Sequence, residues 1–224
     1  MHEDRTMQHR AEAGVLQTNK VIRNTYMLLS LTLIFSAMTA GLAMAMNVGT
    51  GAGFICSLGA IGLLWFVLPK YAESTAGLGI VFGITGLLGF GVGPIISAYL
   101  TMFSNGAELV MTALGGTGAI FLGLSAYALT TRKDFSFLGG FLFVGILVAF
   151  LGGIAGMLLG MPMVNLAVSG MFILLMSGLI LYQTSAIIHG GETNYIMATI
   201  SLYVALYNLF LSLLHILGAF AGER

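Results

Sequence analysis

The chain has 224 residues, of which 58% are hydrophobic and only 7% are Asp, Glu, Lys or Arg. Soluble domains carry about 25% charged residues, so this composition excludes a soluble globular protein and indicates a polytopic membrane protein. The formal net charge is zero, which gives no reason to expect nucleic acid or another acidic polymer as a partner.

The charged residues are clustered, and the apolar gaps between the clusters are long enough for seven membrane-spanning helices. A spanning helix needs about 20 apolar residues, and two of the gaps each hold two spans separated by a turn. The expected spans are 24–46, 52–68, 76–99, 109–131, 137–159, 164–188 and 196–219. The sequence therefore predicts an all-α membrane protein with a tail at 1–23, a seven-helix domain at 24–220 and a short outer end at 221–224.

The N-terminal tail is polar and charged, and it lacks the apolar core and cleavage site of a signal peptide. If the N-terminus is inside, seven of the eight Lys and Arg residues lie on the inner side of the membrane and only Arg224 lies outside. Cytoplasmic segments are rich in Lys and Arg. We therefore expect a cytoplasmic N-terminus and a C-terminus on the outer side.

Glycine makes up 32 of the 224 residues and often recurs at every fourth position, as at Gly89 and Gly93. Such pairs allow helix backbones to approach closely in lipid, so they predict a tightly packed bundle. Pro94 lies inside the third span, where it frees a backbone carbonyl and should bend the helix.

A short polar break, His189-Gly190-Gly191-Glu192-Thr193-Asn194, separates the sixth and seventh spans. Gly190 and Gly191 stand where the sixth helix should end. Glu192 and Thr193 precede the seventh helix, where an acid and a capping residue suit the positive helix end. His189 and Glu192 could bind a metal, but two ligands are too few, so we interpret the turn as structural and predict no metal or cofactor.

The seventh span carries a polar stripe that consists of Ser201, Asn208, Ser212 and His215. Their spacings of seven, four and three place them on one face of a helix. Lipid offers no partner to a hydroxyl, an amide or an imidazole, so the stripe should point at protein or trapped water. The seventh helix is therefore expected to be a central element packed inside the others. The stripe either fixes packing through interhelical hydrogen bonds or lines a path for ions or protons.

The sequence motifs of intramembrane enzymes are absent from the chain. There is no His-Glu-x-x-His zinc motif, no aspartate inside a predicted span, and no serine in a Gly-x-Ser-x-Gly frame. We therefore expect that the protein is not an enzyme.

Several stretches resemble the Bax-inhibitor-1 (transmembrane Bax-inhibitor-motif) family, from about Lys20 to the C-terminus. They are GFGVGPII (89–96), TGAIF (117–121) with Ala113 before it, TRKDFSFLGG (131–140), HGGETNY (189–195), SLY (201–203) and NLF (208–210). Together these motifs are specific, although each alone is weak. The resemblance implies seven helices, with six of them surrounding the seventh.

Within that family, the segment KVIRNTY (20–26) and residues 130–140 are most similar to a bacterial inner-membrane member. That similarity implies a partner, the membrane-anchored ATP-dependent protease FtsH, which this member modulates. In such a membrane the outer side, where we expect the C-terminus from the charge bias, is the periplasm. A hexameric ATPase pulls on an exposed segment, so tail 1–23 either is the handle that the protease grips or only sets the topology. If it is the handle, the bundle would be extracted slowly enough to inhibit the protease.

An alternative function is a pH-sensitive calcium or cation leak, because some members of the family have that activity. By resemblance, their two membrane aspartates match Gln183 and Ala205 in this chain. Glutamine does not titrate, and neither side chain holds calcium by charge. A third function, small-molecule transport, lacks a second broken helix at a matching position in the other half.

Overall fold

The computed structural model describes the backbone of residues 2–222 and the side chains of residues 16–222, and this part of the chain is almost entirely helical, without a strand. The helices are α1 (His2–Ala45), α2 (Thr50–Tyr71), α3 (Thr75–Met102), α4 (Gly106–Thr131), α5 (Leu138–Leu158), α6 (Pro162–Ile188) and α7 (Tyr195–Gly222). All seven are long and apolar enough to cross a membrane, α1 from Leu16 onward. The seven predicted spans are thereby confirmed.

The first helix is longer than the first predicted span. It runs from His2 to Ala45 without a break, so no change of backbone separates the predicted tail, 1–23, from the span. The side chains of residues 1–15 lie outside the described part of the structure, as do residues 223 and 224 of the predicted outer end. The division of the chain into tail, bundle and outer end stays a prediction.

Helix α2 is interrupted by a π-helical turn at Leu63–Val67, between Thr50–Gly62 and Leu68–Tyr71. Pro69 follows this turn and has no N–H to donate to the carbonyl of Trp65. Its ring would also clash with that carbonyl in a regular α-helix. The wider turn removes this conflict and carries α2 through to its end without a sharp break.

Helix α7 lies between two groups of three helices. In the first group α1 and α2 both pack on α3, and in the second α4 and α5 both pack on α6. The backbone of α7 lies close to α1 and α3 from one group and to α4 and α6 from the other, but not to α2 or α5, although the Tyr207 side chain reaches Ser57 of α2. The expectation that six helices surround the seventh is therefore not confirmed, because two of the six pack on the outside of their own group.

The predicted close approach of helices at glycine is visible between α1 and α3. A Cβ on Gly89 would overlap Ser36 and Thr39 of α1, and a Cβ on Gly93 would lie 2.7 Å from the Cβ of Ala43. Not every repeated glycine has this role, since a Cβ on Gly79 would meet nothing within 4 Å. Pro94 is buried inside α3, which is continuous through it.

Candidate functional site

Three short connections meet at one end of the bundle, which we call the basic end because it carries Lys70, Arg132 and Lys133. Residues 132–137 reach the end of α6 through the hydroxyl of Ser185. This hydroxyl accepts the N–H of Phe135 at 2.9 Å and donates to the carbonyl of Lys133 at 3.1 Å. One serine therefore ties the α4–α5 connection to α6.

The turn between α6 and α7 ends the sixth helix as the sequence predicts. Gly190 has φ +75°, a conformation that glycine adopts without strain. The N–H of Gly191 donates to the carbonyl of Ala186 at 2.8 Å, and the N–H of Gly190 donates to that of Ile187 at 3.3 Å. These two bonds form a Schellman motif, so the turn closes α6 with its own backbone.

The cap of α7 is Asn194, one residue after the predicted Thr193. Asn194 Oδ1 accepts the N–H groups of Ile196 at 2.9 Å and Met197 at 3.2 Å. Its Nδ2 donates to the carbonyl of Ala72 at 2.9 Å, which joins this turn to the α2–α3 connection. Glu192 Oε1 accepts the N–H of Asn194 at 2.8 Å, so the acid does stand at the start of α7.

His189, in the same turn, is also hydrogen-bonded within the basic end, because its Nδ1–H donates to the carbonyl of Ser185 at 2.9 Å. Beside it, the N–H of Ser136 donates to Asp134 Oδ1 at 2.8 Å, and this bond holds the pKa of the Asp134 carboxyl below its usual range. Within residues 16–222 no three His, Cys, Asp or Glu side chains are close enough together to hold a metal ion.

Gln183 and Ala205, which the family resemblance predicts to stand at the positions of the sensor acids, both lie inside the bundle. Gln183 is 6% exposed and Ala205 is fully buried, on helices α6 and α7, which pack against each other. Gln183 Nε2 has no hydrogen-bond partner among the described residues. A neutral amide thus occupies a position where a carboxylate would titrate.

The predicted polar stripe lies on a side of α7 that the other helices cover only in part. The half-buried or exposed residues that recur at spacings of three and four on this side are Ser201, Val204, Asn208, Leu211 and His215, and we call them the open face. Ser212, the fourth member of the stripe, is buried at its border. The expectation that the stripe points at protein or trapped water stays a prediction, because α3 and α6 both contact α7 but do not meet across this face.

A cleft of about 320 Å³ occupies the part of the open face near the end of α7. It is lined by Ile95, Tyr99, Ser169, Asn208, Leu211, Ser212, Leu214 and His215. Ser169 Oγ donates to the carbonyl of Asn165 at 3.1 Å and therefore accepts the Nδ1–H of His215, 2.7 Å away. This bond between α6 and α7 supports the packing interpretation of the stripe at His215, while Ser201, Asn208 and Ser212 make no bond to another helix within the described residues.

Sequence reasoning missed several polar side chains that join the helices. Ser169 and Ser185 are two of several polar residues in α6, and the sequence does not distinguish them from the others, such as Thr184. The Tyr203 hydroxyl donates to the carbonyl of Thr85 at 3.2 Å and shares a hydrogen bond with the Ser36 hydroxyl. The Ser-Leu-Tyr motif could have singled out this tyrosine, but its partners are known only from the fold.

A family model described as "Inhibitor of apoptosis-promoting Bax1" matches residues 18–222, which include all seven spans. The chain is 50% identical over 205 residues to two Escherichia coli proteins, over 92% of each chain. The protein of strain K12 is named "Modulator of FtsH protease YccA", and that of strain O6:H1 is named "Inner membrane protein YccA".

A third relative is an uncharacterized protein of Pseudomonas aeruginosa, to which the chain is 44% identical over 223 residues and 100% of each chain. The similarity is therefore not confined to a motif but extends over the whole bundle. The chain is a multi-pass inner-membrane protein and belongs to the Bax-inhibitor-1 family.

Proposed function

We propose that this protein is a regulator that binds an FtsH-type membrane protease and modulates its activity. The observation that carries this proposal is the 50% identity, over 92% of both chains, to the protein named as a modulator of FtsH protease. A regulatory role also agrees with the sequence, which lacks the motifs of intramembrane enzymes. We infer that the protein acts by binding rather than by catalysis.

The mechanism we propose is slow substrate inhibition. The protease grips the N-terminal segment, 1–23, on the cytoplasmic side and then meets a bundle that is costly to extract from lipid. Close packing at Gly89 and Gly93 supports this resistance. If the protease pulls α1 away from α3, the contacts between the two helices are lost unless they form again in lipid. A protease occupied in this way degrades its other substrates more slowly.

The orientation we propose places the basic end and the N-terminus in the cytoplasm and the C-terminus in the periplasm. Lys70 in the last turn of α2 and Arg132 and Lys133 in the α4–α5 connection all lie at the basic end, and cytoplasmic segments are rich in Lys and Arg. The connections there are short, so the helix surfaces inside the membrane form most of the area available to a membrane-bound partner.

Co-purification from membranes tests the proposed function. The full chain is affinity-tagged, solubilised in mild detergent and isolated, and the bound proteins are identified by mass spectrometry. We expect an FtsH-type ATPase to be enriched relative to a tagged, unrelated multi-pass protein expressed at the same level. A correctly folded bait that recovers no such protease contradicts the proposal.

A further inference from the structure

The open face of α7 carries hydrogen-bonding groups that the described residues leave unused. Asn208 Nδ2 donates to the carbonyl of Val204 at 2.8 Å, which leaves the second N–H and Oδ1 of the amide free. The hydroxyls of Ser201 and Ser212 make no hydrogen bond to any described residue. His215 uses Nδ1 toward Ser169, so Nε2 is left over.

These groups lie deep in the membrane, where lipid cannot satisfy them. Asn208 stands near the middle of α7, between Tyr195 and Gly222. From Ser201 to His215 the open face extends roughly 21 Å at 1.5 Å per residue, most of the thickness of the hydrocarbon layer. An unpaired polar group at this depth is unfavourable by several kcal/mol in general, so the face needs a covering that offers hydrogen bonds.

Other uncovered surfaces of the bundle differ from this face. Helix α5 has no polar side chain along its whole length, and its exposed residues, such as Phe143 and Leu147, suit lipid. A larger cavity of about 480 Å³, lined by α1, α3, α4 and α7, is mostly apolar and can accept an acyl chain. An apolar surface can face lipid, whereas a face with unpaired hydrogen-bonding groups requires protein or water to cover it.

The length and shape of the open face match a helix better than a small ligand. Its polar groups follow one line along α7, and α3 and α6 stand on either side without contacting each other. A helix that enters between them meets Ser201, Asn208 and His215 in turn. Membrane helices associate through such hydrogen bonds together with close packing.

A second copy of this chain is a weaker candidate for the covering helix. The outward helix α5 offers no polar side chain to a neighbouring copy. We therefore take the occupant from the partner in the proposed function, and a second copy on this face is an outcome that crosslinking distinguishes.

We propose that a transmembrane helix of the partner protease docks on the open face of α7, with a hydrogen-bonding side chain of that helix opposite Asn208. This inference rests on the proposed function, since it assigns the contact surface to the same partner. Ser212 and His215 extend the contact toward the end opposite the basic end. The bundle then holds the protease independently of segment 1–23.

Photo-crosslinking in native membranes tests the surface. A photoreactive amino acid replaces Val204 or Leu211 on the open face, and in control chains it replaces Leu174 of α6 or Leu147 of α5, which are 75% and 48% exposed. We expect adducts with the protease at both open-face positions and none at the controls. Adducts with a second copy, or with lipid alone, would overturn the inference about the docking surface. If the protease still co-purifies in that case, the proposed function stands. If no protease co-purifies, both fall.

Substitution of the central amide gives a second measurement. Asn208→Leu should lower the recovery of the protease by roughly three- to tenfold, the range expected for one hydrogen bond between membrane helices. Asn208→Gln keeps an amide and should restore most of the binding. The control is Thr101→Ala, because that hydroxyl bonds only to its own helix. Full recovery with Asn208→Leu, in a chain whose thermal stability is unchanged, would contradict the docking.

Discussion

Ser185 joins two parts of the chain that are about 50 residues apart in sequence. Its hydroxyl accepts a hydrogen bond from the N–H of Phe135 and donates one to the carbonyl of Lys133. Both bonds between the α4–α5 connection and α6 therefore depend on one oxygen. The side chain is buried, and water cannot replace it easily. The position of the α4–α5 connection against α6 therefore depends on a serine that the sequence does not distinguish from its polar neighbours Gln183 and Thr184.

Ser185→Ala should destabilise the bundle by about 1–3 kcal/mol, because it leaves a backbone N–H and a carbonyl without their partner. The matched control is Ser177→Ala on the same helix, whose hydroxyl donates only to the Ile173 carbonyl of its own turn. Equilibrium unfolding in mixed detergent micelles measures both variants. Equal stability of the two variants would show that the Ser185 bonds do not hold the connection.

Gln183 and Ala205 lead to an expectation for ion flux. Neither residue can share or release a proton, so purified protein in liposomes should show little calcium flux and no titration of that flux between pH 6 and 8. Introducing both acids, Gln183→Asp with Ala205→Asp, should add a pH-dependent component. Strong flux with a steep pH response in the unchanged protein would refute the expectation and favour the channel function.

At the scale of single residues, the sequence predicts what depends on local backbone and misses what depends on distant partners. Gly190 and Gly191 end α6 as expected, because a left-handed residue after a helix is a local requirement. The cap was placed one residue early, since Thr193 and Asn194 are both good capping residues. Ser169 was not found, because its partner His215 is brought near only by the fold.

Helix α3 depends on glycine at the positions where it meets α1. Gly89→Ala should destabilise the protein by about 1–3 kcal/mol, because the added methyl group overlaps Ser36 and Thr39. Gly79→Ala in the same helix is the control, and since nothing lies within 4 Å of its Cβ, it should be neutral or slightly stabilising. Thermal unfolding in detergent compares the two. A Gly89→Ala protein as stable as Gly79→Ala would exclude tight packing at this point.

The N-terminal segment of α1 leads to a prediction about turnover. Deletion of residues 2–17, which keeps Lys20 and Arg23 for insertion, should lengthen the half-life of the protein, retain its co-purification with the protease and strengthen inhibition of other substrates. The segment is helical in the structure; once the ATPase unwinds it, 20 extended residues reach roughly 65 Å, enough for a pore above the membrane to grip them. Pulse–chase labelling measures the half-life.

Replacement of residues 2–17 by a flexible Gly–Ser segment of the same length is the control for this deletion. It keeps an end that can be gripped and should restore turnover. An unchanged half-life after deletion, or loss of binding, would show that the segment sets only the topology.

For the helices, the sequence predicts their existence and length but not which helices pack against each other. Long apolar gaps between charges locate all seven spans because lipid leaves a spanning backbone few alternatives. The spacing of Ser201, Asn208 and His215 correctly defines one face of α7. It cannot tell whether that face meets a helix of the same chain, and here α3 and α6 stop short of covering it.

The bundle as a whole has a predicted direction in the membrane. A reporter that is active only outside the cytoplasm should be active when fused after Arg224, and inactive when fused in the 132–137 connection at the basic end. The reason is the charge bias of seven Lys and Arg residues to one. A reporter that works only in the cytoplasm should give the reverse pattern. If the cytoplasmic reporter were active at residue 224, the chain would have to cross the membrane an even number of times or in the opposite orientation, and the proposed topology would be wrong.

The position of α7 in the chain matters for biosynthesis. The ribosome completes the six other helices before the 28 residues of α7 reach the membrane. Until then α1 and α3 lack the helix that packs against them, and the carbonyl of Thr85 lacks the hydroxyl of Tyr203 that bonds to it in the finished protein. Nascent chains halted before Tyr195 therefore expose helix surfaces that the mature bundle hides. A protease in the same membrane would meet two different molecules, a vulnerable unfinished chain and a durable finished one.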